Sequence, residues 1–200
     1  MQSRTARAAT HSLNTDTLTM KPSPPTHLLP DLLAGEAAAL TPELRARVTD
    51  LTDDSRAVTP GALFICRDAA GGKAGQYLAD AAERGAGVLV CGRSASRAWP
   101  DRDAGPPMVV IDAPVDQRFA GRVAERFFGE PTRRLQVIGV TGTNGKTTVA
   151  TLTQHLMLAA NKHCGLIGTV TIDDGRSRRP AELTTPGSIE LSRLLAQMAE

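Results

Sequence analysis

One segment near position 140 limits the folds open to this chain more than any other feature. An apolar run at 135–140 leads into a glycine-containing turn at 141–145, and a helical pattern begins at Lys146. The apolar residues Val149, Leu152 and Leu156 share one face of that predicted helix. Strand, glycine turn and helix in this order are typical of phosphate sites in α/β folds. The pattern therefore predicts an α/β protein with a nucleotide site at the turn.

The residue types in this turn suit a polyphosphate. Glycine permits a bend that points several backbone N–H groups at one anion, and the helix N-terminus adds partial positive charge. Lys146 adds a full charge near the terminal phosphates, and the Thr147 hydroxyl is expected to face Mg²⁺. The strict phosphate-loop pattern has glycine where this chain has Val140, so a glycine turn with a solvated lysine is the alternative. The candidate nucleotide-binding residues are Gly142, Thr143, Asn144, Gly145, Lys146, Thr147 and Thr148.

Strand and helix patterns alternate along the rest of the chain. Apolar runs bounded by glycine or proline predict strands, and apolar residues recurring every three or four positions predict helices. Their alternation indicates layered α/β architecture. Strands are expected at 62–66, 87–91, 108–111 and 165–172, and helices at 76–84, 114–128 and from Pro186 onward.

Composition excludes several functional classes. The 200 residues carry 23 basic and 21 acidic side chains, a net charge of +2, without the basic excess typical of nucleic-acid binding. Aromatic residues make up only 3%, too few for base-stacking platforms. No apolar run approaches the roughly 20 residues of a membrane-spanning helix. The cysteines Cys66, Cys91 and Cys164 form no CxxC pair, which predicts reduced thiols in a cytosolic protein and neither disulfides nor zinc.

The chain divides into three parts by pattern. Residues 1–26 are rich in Ser, Thr, Pro and Ala and predict a disordered leader, with Met20 as an alternative start. Residues 27–131 form one α/β unit, and residues 132–200 begin a second. A mononucleotide-binding domain needs about five strands, and the second unit supplies two or three. We therefore expect a fragment or truncated product with an unpaired sheet edge and uncovered apolar faces.

Three motifs in chain order resemble those of the Mur ligase family. Residues 139–148, Gly-Val-Thr-Gly-Thr-Asn-Gly-Lys-Thr-Thr, are similar to the ATP loop of the family, which lacks the earlier glycine. The opening D-S-R-x-V-x-P-G-x-L-F of two family branches is matched at 54–64. The T-T-P element of the branch that adds the third residue is matched at 183–186. Together the motifs cover about residues 50–200.

The resemblance implies a second group of site residues, which would hold the UDP end of the substrate. A helix cap at Asp54-Ser55, a mobile glycine loop at 71–73 and a helix start at Thr185-Pro186 are the structural alternatives. The family element G-x-x-x-D-G-H is altered here, because Ala74 and Gln76 replace its Asp and His. The candidate substrate-binding residues are Asp53, Ser55, Gly71, Gly72, Lys73, Thr184 and Thr185.

The resemblance also implies an activity. Family members are cytoplasmic ATP- and Mg²⁺-dependent amide ligases of peptidoglycan synthesis, with Lys146 expected to be catalytic here. The implied acceptor is UDP-N-acetylmuramoyl-L-alanyl-D-glutamate, and the implied amine is meso-diaminopimelate or L-lysine. The implied parent enzyme is monomeric, without nucleic-acid or membrane partners, and the 200-residue chain alone is expected to be catalytically silent. The alternatives are the sister ligase that adds D-alanyl-D-alanine and a non-catalytic binding remnant.

Overall fold

The computed structural model describes residues 27–36, 46–68, 72–99, 105–181 and 185–200. The predicted leader and the candidate residues Gly71 and Thr184 lie outside these ranges. No helix within the described ranges is long and apolar enough to cross a membrane. In chain order the elements are β1 (His27–Leu28), α1 (Leu29–Leu32), β2 (Arg47–Val48), β3 (Leu51–Thr52), a 3₁₀ turn (Ser55–Ala57), β4 (Leu63–Cys66), α2 (Ala74–Glu83), β5 (Val88–Gly92), α3 (Arg93–Arg97), β6 (Met108–Ile111), α4 (Gln117–Phe127), α5 (Pro131–Arg134), α6 (Lys146–Ala159), β7 (Leu166–Ile167), β8 (Thr171–Asp173), β9 (Arg178–Pro180) and α7 (Ser188–Ala199).

A four-stranded parallel sheet, ordered β3-β4-β5-β6, organises the first half of the chain. Both faces of a parallel sheet are covered by helices, which explains the uninterrupted apolar runs of β4 and β5. Successive side chains point to opposite faces. Leu63 and Ile65 therefore join the cluster under α1 and α4, whereas Phe64 and Cys66 join the cluster under α2. The predicted α/β fold class is confirmed.

The predicted elements of this half agree with the structure to within a few residues. The strand predictions at 62–66, 87–91 and 108–111 correspond to β4, β5 and β6, and the helix predictions correspond to α2 and α4. Helix α4 begins later than predicted because the Asp116 carboxylate accepts the backbone N–H groups of Arg118 and Phe119, both at 2.9 Å. Such a side-chain cap fixes where a helix starts.

The strand predicted at 135–140 is absent from the described structure. Backbone N–H and C=O groups form a strand only where a neighbouring strand pairs with them. No described strand lies beside this segment, and Val137 and Ile138 are 62% and 60% exposed. The apolar face of α6 is open too, with Leu152 and Leu156 more than half exposed. The expected uncovered apolar surface is therefore present.

The strand predicted at 165–172 is divided into β7 and β8, which pair antiparallel, and β9 completes a three-stranded sheet. The turn between β8 and β9 is held by Asp174, whose carboxylate accepts the backbone N–H groups of Arg176 and Ser177 at 2.9 and 2.7 Å. Gly175 adopts a φ of +88° there, a value that favours glycine. The predicted turn at 173–175 is confirmed.

Helix α7 begins two residues later than the proline signal predicts. Its N-cap is Gly187, and Pro186 precedes that cap, so the prediction that Thr185 caps a helix opened by Pro186 is wrong. The body of α7 packs on α4, with Ile189 buried in the core under that helix. Arg193 donates to Asp50 Oδ1 at 3.1 Å and to the Leu51 carbonyl at 3.0 Å. The last helix is thus fixed to the parallel-sheet half of the chain.

A matched pair of leucine substitutions tests this core. Leu78 on α2 is fully buried, whereas Leu156 on α6 is 70% exposed. We expect Leu78→Ala to lower the free energy of unfolding by about 2–5 kcal/mol and Leu156→Ala by no more than about 0.5 kcal/mol. Urea denaturation followed by fluorescence of the single tryptophan, Trp99, which packs in the same cluster as Leu78, measures both. Equal effects of the two substitutions would contradict the packing described.

Candidate functional site

The turn before α6 has the backbone shape that a phosphate site requires. Gly142 has a φ of +148° and Gly145 a φ of +77°, and Gly145 is the N-cap of α6. Side chains rarely tolerate such angles, so glycine is needed at both positions. Residues 141–149 are all exposed to solvent. The turn therefore presents its backbone outward at the positive end of a helix.

Lys146 lies over this turn. Its Nζ donates to the carbonyl oxygens of Gly142 at 2.6 Å and Thr143 at 3.3 Å. The ammonium group is therefore held beside the same backbone that carries the free N–H groups of the helix start. A full positive charge and a helix N-terminus thus coincide at one exposed turn, which is the arrangement that binds a polyphosphate. Lys146 is also exposed to solvent, so the alternative of a glycine turn with a solvated lysine stays open.

Thr147 follows in the first turn of α6 and faces a cleft of about 190 Å³ between α6 and the β7–β9 sheet. Its hydroxyl suits Mg²⁺, which prefers oxygen ligands and binds together with phosphate oxygens and water. Within the described ranges no group of three or more His, Cys, Asp or Glu side chains forms a separate metal site. The Thr147 hydroxyl could serve as one oxygen ligand of a Mg²⁺ ion.

A buried glutamine, which the sequence analysis did not single out, fixes α6 to the neighbouring sheet. Gln154 is 1% exposed, and its Nε2 donates to the Cys164 carbonyl and to Asp173 Oδ2, both at 3.1 Å. Arg178 forms an ion pair with the same carboxylate oxygen at 3.2 Å. Buried polar groups need such partners. A polar residue between the apolar positions of a helix is the sequence signal that indicates such a contact.

The second group of candidate residues lies at the carboxyl ends of the parallel strands. Ser55 starts the 3₁₀ turn directly after β3 and is 6% exposed. No described residue hydrogen-bonds its hydroxyl. The Asp54 carboxylate accepts the Arg56 backbone N–H at 3.0 Å and the guanidinium at 2.9 and 2.8 Å. Asp54 therefore shapes the turn, while Ser55 keeps its hydroxyl for another partner.

Asp53 is paired with an arginine that the sequence did not single out. Arg67, which follows β4, places its Nε 2.7 Å from Asp53 Oδ2. The Nε lies within ion-pair distance, yet this buried N–H makes no hydrogen bond within the described ranges, because its direction misses the carboxylate. Arg67 and Asp53 thus attract each other as opposite charges without a directed hydrogen bond from Nε. The pair joins residues that directly follow two different strands, β3 and β4, so no local pattern reveals it.

The glycine loop before α2 is described in part. Gly72 has a φ of +70°, and Lys73 is exposed at the N-cap of α2 without a side-chain cap. Gly75 has a packing role, because a Cβ there would lie 2.3 Å from the Ala98 carbonyl oxygen. Thr185 is exposed shortly before α7. The structure thus places Gly72, Lys73 and Thr185 at accessible positions.

The two groups of candidate residues remain separate. Within the described ranges no hydrogen bond or ion pair joins residues 141–148 to the carboxyl ends of β3 and β4. Helix α7 connects the two halves instead, because its start contacts α4 and Glu190 forms an ion pair with Arg179 of β9 at 3.1 Å. The candidate residues thus lie in two places, at the exposed glycine turn before α6 and at the carboxyl-end edge of the parallel sheet.

Comparison with known proteins identifies similar sequences and one matching family domain. The Mur ligase middle domain matches residues 140–200. The UDP-N-acetylmuramoyl-L-alanyl-D-glutamate--2,6-diaminopimelate ligase of Geobacillus thermodenitrificans is 40% identical over 153 residues, 76% of this chain and 29% of the relative. The ligase of the same name from Streptomyces avermitilis is 41% identical over 169 residues, 84% of this chain and 32% of the relative. The chain belongs to the Mur ligase family.

The fold agrees with that membership. A solved structure of a ligase with the same name matches with a TM-score of 0.62 at 23% identity, covering 87% of this chain and 34% of that protein. The chain therefore spans about a third of the length of the Mur ligases that it matches.

The Asp54–Arg56 contact predicts a pH dependence. Hydrogen bonding from Arg56 lowers the pKa of Asp54 below its usual value. A lowered carboxylate pKa stabilises the fold above the usual aspartate pKa of about 4, and this contribution is lost as the pH falls through the lowered value. We expect Asp54→Asn to destabilise the chain at pH 7 and to have a shrinking effect below about pH 4. The measurement is the urea concentration at the unfolding midpoint, determined for the unaltered chain and for Asp54→Asn from pH 7 to pH 3.

Arg56→Gln provides the matched control. In that background Asp54→Asn should have a smaller effect at pH 7, because contacting residues are not additive. A destabilisation that stays constant across the pH range would argue against the ion pair as its cause.

Proposed function

We propose that this chain is the substrate- and nucleotide-binding part of an ATP-dependent amide ligase of cell-wall peptidoglycan synthesis. The acceptor is UDP-N-acetylmuramoyl-L-alanyl-D-glutamate, and the incoming amine is meso-diaminopimelate, with L-lysine as the alternative. The names of the relatives print the same acceptor and 2,6-diaminopimelate. The observation that carries the proposal is the exposed glycine turn with Lys146 over it at the start of α6.

The reaction joins a carboxylate to an amine at the expense of ATP. The substrate carboxylate attacks the γ-phosphorus and ADP leaves. The amine then attacks the acyl carbon of the resulting acyl phosphate, which forms the amide bond, displaces phosphate and releases a proton. Lys146 and the N–H groups of residues 142–148 bind and orient the phosphates and neutralise the charge that develops on them. Thr147 would hold Mg²⁺, which supplies further charge neutralisation when bound.

The edge of the parallel sheet takes the UDP-sugar end of the acceptor. Ligands of open α/β sheets bind at the carboxyl ends of the strands. Ser55 is 6% exposed and its hydroxyl has no described hydrogen-bond partner, which supports a hydrogen bond to the nucleotide, and Asp53 would lie beside that contact. Gly72, Lys73 and Thr185 are accessible for further contacts, and Gly71 and Thr184 enter this proposal by resemblance alone. The units 27–131 and 132–200 would then bind the acceptor and ATP respectively.

The compartment proposed for this reaction is the cytoplasm. ATP is available there, and thiols stay reduced. Cys66 is buried, and burial raises the pKa of its thiol to about 11, which keeps it protonated. We propose a monomeric enzyme without nucleic-acid or membrane partners. A non-catalytic binding remnant is the second candidate, because Ala74 is buried and Gln76 exposed where the family carries Asp and His.

Removing the charge of Lys146 tests the nucleotide site. We expect Lys146→Met to weaken binding of Mg·ATP to the 200-residue chain at least about tenfold, because a charged hydrogen-bonding partner of the phosphates is lost. Calorimetric titration measures the affinity. Lys162→Met, at an exposed lysine beyond the other end of α6, is the matched control and should leave it unchanged. Equal affinity of Lys146→Met and the unaltered chain would refute the nucleotide site.

A further inference from the structure

Helix α7 bridges the two halves of the chain. Its Ile189 is buried in the core under α4, and its far end lies close to the start of β7. A Cβ added to Gly165 would lie 2.6 Å from Met198 Sδ, which shows how closely the end of α7 approaches the start of β7. Movement of α7 would therefore disturb both halves. Thr185, a candidate substrate contact, lies three residues before the helix starts.

The start of α7 is fixed by a side chain from another helix. The N-cap residue Gly187 has no side chain to accept the first N–H groups. Gln117 Oε1 takes this role, because it accepts the Ser188 backbone N–H at 3.1 Å and the Ser188 hydroxyl at 2.5 Å. Gln117 is the first residue of α4, so it lies on the carboxyl-end side of β6. The start of α7 is thereby held on the same side of the sheet as Ser55.

Other contacts hold the rest of α7. Ser192 donates to Glu125 Oε1 at 3.4 Å. Arg193 donates to Asp50 Oδ1 and to the Leu51 carbonyl oxygen. The Cζ atom of Arg193 also lies over the Phe128 ring, 5.2 Å from the ring centroid. These contacts do not depend on Gln117. Loss of its amide oxygen would therefore loosen the start of the helix and leave the helix body in place.

We propose that Gln117 is a positioning residue: through Ser188 it holds the Thr185–Pro186 segment at the acceptor-binding edge of the parallel sheet. The inference rests on the proposed function, since it takes Thr185 as a contact of the UDP-muramoyl acceptor. Gln117 itself is exposed and touches α7 rather than the acceptor. Substitution of Gln117 is therefore expected to change the affinity for the acceptor and not the affinity of residues 141–148 for Mg·ATP.

The test is calorimetric titration of the 200-residue chain with UDP-N-acetylmuramoyl-L-alanyl-D-glutamate. We expect Gln117→Leu to weaken binding about three- to tenfold, the range for one or two lost neutral hydrogen bonds. Gln117→Glu keeps an acceptor oxygen for both Ser188 donors and should bind within about twofold of the unaltered chain. Gln197→Leu makes the same substitution at an exposed glutamine near the end of α7 and should have no effect. Ser188→Ala should not weaken binding further in the Gln117→Leu background.

A second measurement separates positioning from loss of structure. Hydrogen exchange at the amide of Ser188 should accelerate in Gln117→Leu and not in Gln117→Glu, while affinity for Mg·ATP stays unchanged in both. Weakened nucleotide binding, or unaltered acceptor binding, in Gln117→Leu would overturn the inference and leave the proposed function standing. Failure of the unaltered chain to bind the acceptor while it still binds Mg·ATP would overturn the proposed acceptor and this inference with it.

Discussion

The need to cover both faces of the parallel sheet determines where most other elements lie. Because β4 and β5 are apolar at every position, helices must pack on each side. Helix α2 covers one face, and α1 and α4 cover the other. The turns that leave the strands at their carboxyl ends are then brought to one edge. Ser55, Arg67 and the start of α4 gather there as a consequence of topology.

The glycine turn at 141–145 depends on a different constraint, which is local. Two glycines with positive φ and a lysine at the first helical position determine its shape within a few residues. Its form is therefore retained although no described strand pairs with residues 135–140. The contacts of Gln154 supply the remaining support, because they attach α6 to the β7–β9 sheet. A local site and a long-range site thus coexist in one chain.

The difference between local and long-range contacts explains which elements could be predicted from the sequence. The three longest strands of the described ranges, the glycine turn at 141–145 and α4 follow from consecutive residues, since apolar runs, glycines and a capping aspartate act locally. The two-residue strands β1 and β2 were missed because His27 pairs with Val48, twenty-one positions away. The contacts of Arg67 with Asp53 and of Gln117 with Ser188 also join residues that are far apart in the sequence. The strand predicted at 135–140 failed because a strand needs a partner as well as a suitable pattern.

The open apolar face of α6 affects how experiments on this chain are interpreted. Three exposed apolar side chains form a stripe along this folded helix: Val149, Leu152 and Leu156. Dyes such as ANS fluoresce when they bind apolar surface, and that signal is commonly used to diagnose molten globules. Here the dye would bind a native helix. Loss of near-ultraviolet circular dichroism is therefore the better indicator of partial unfolding for this molecule.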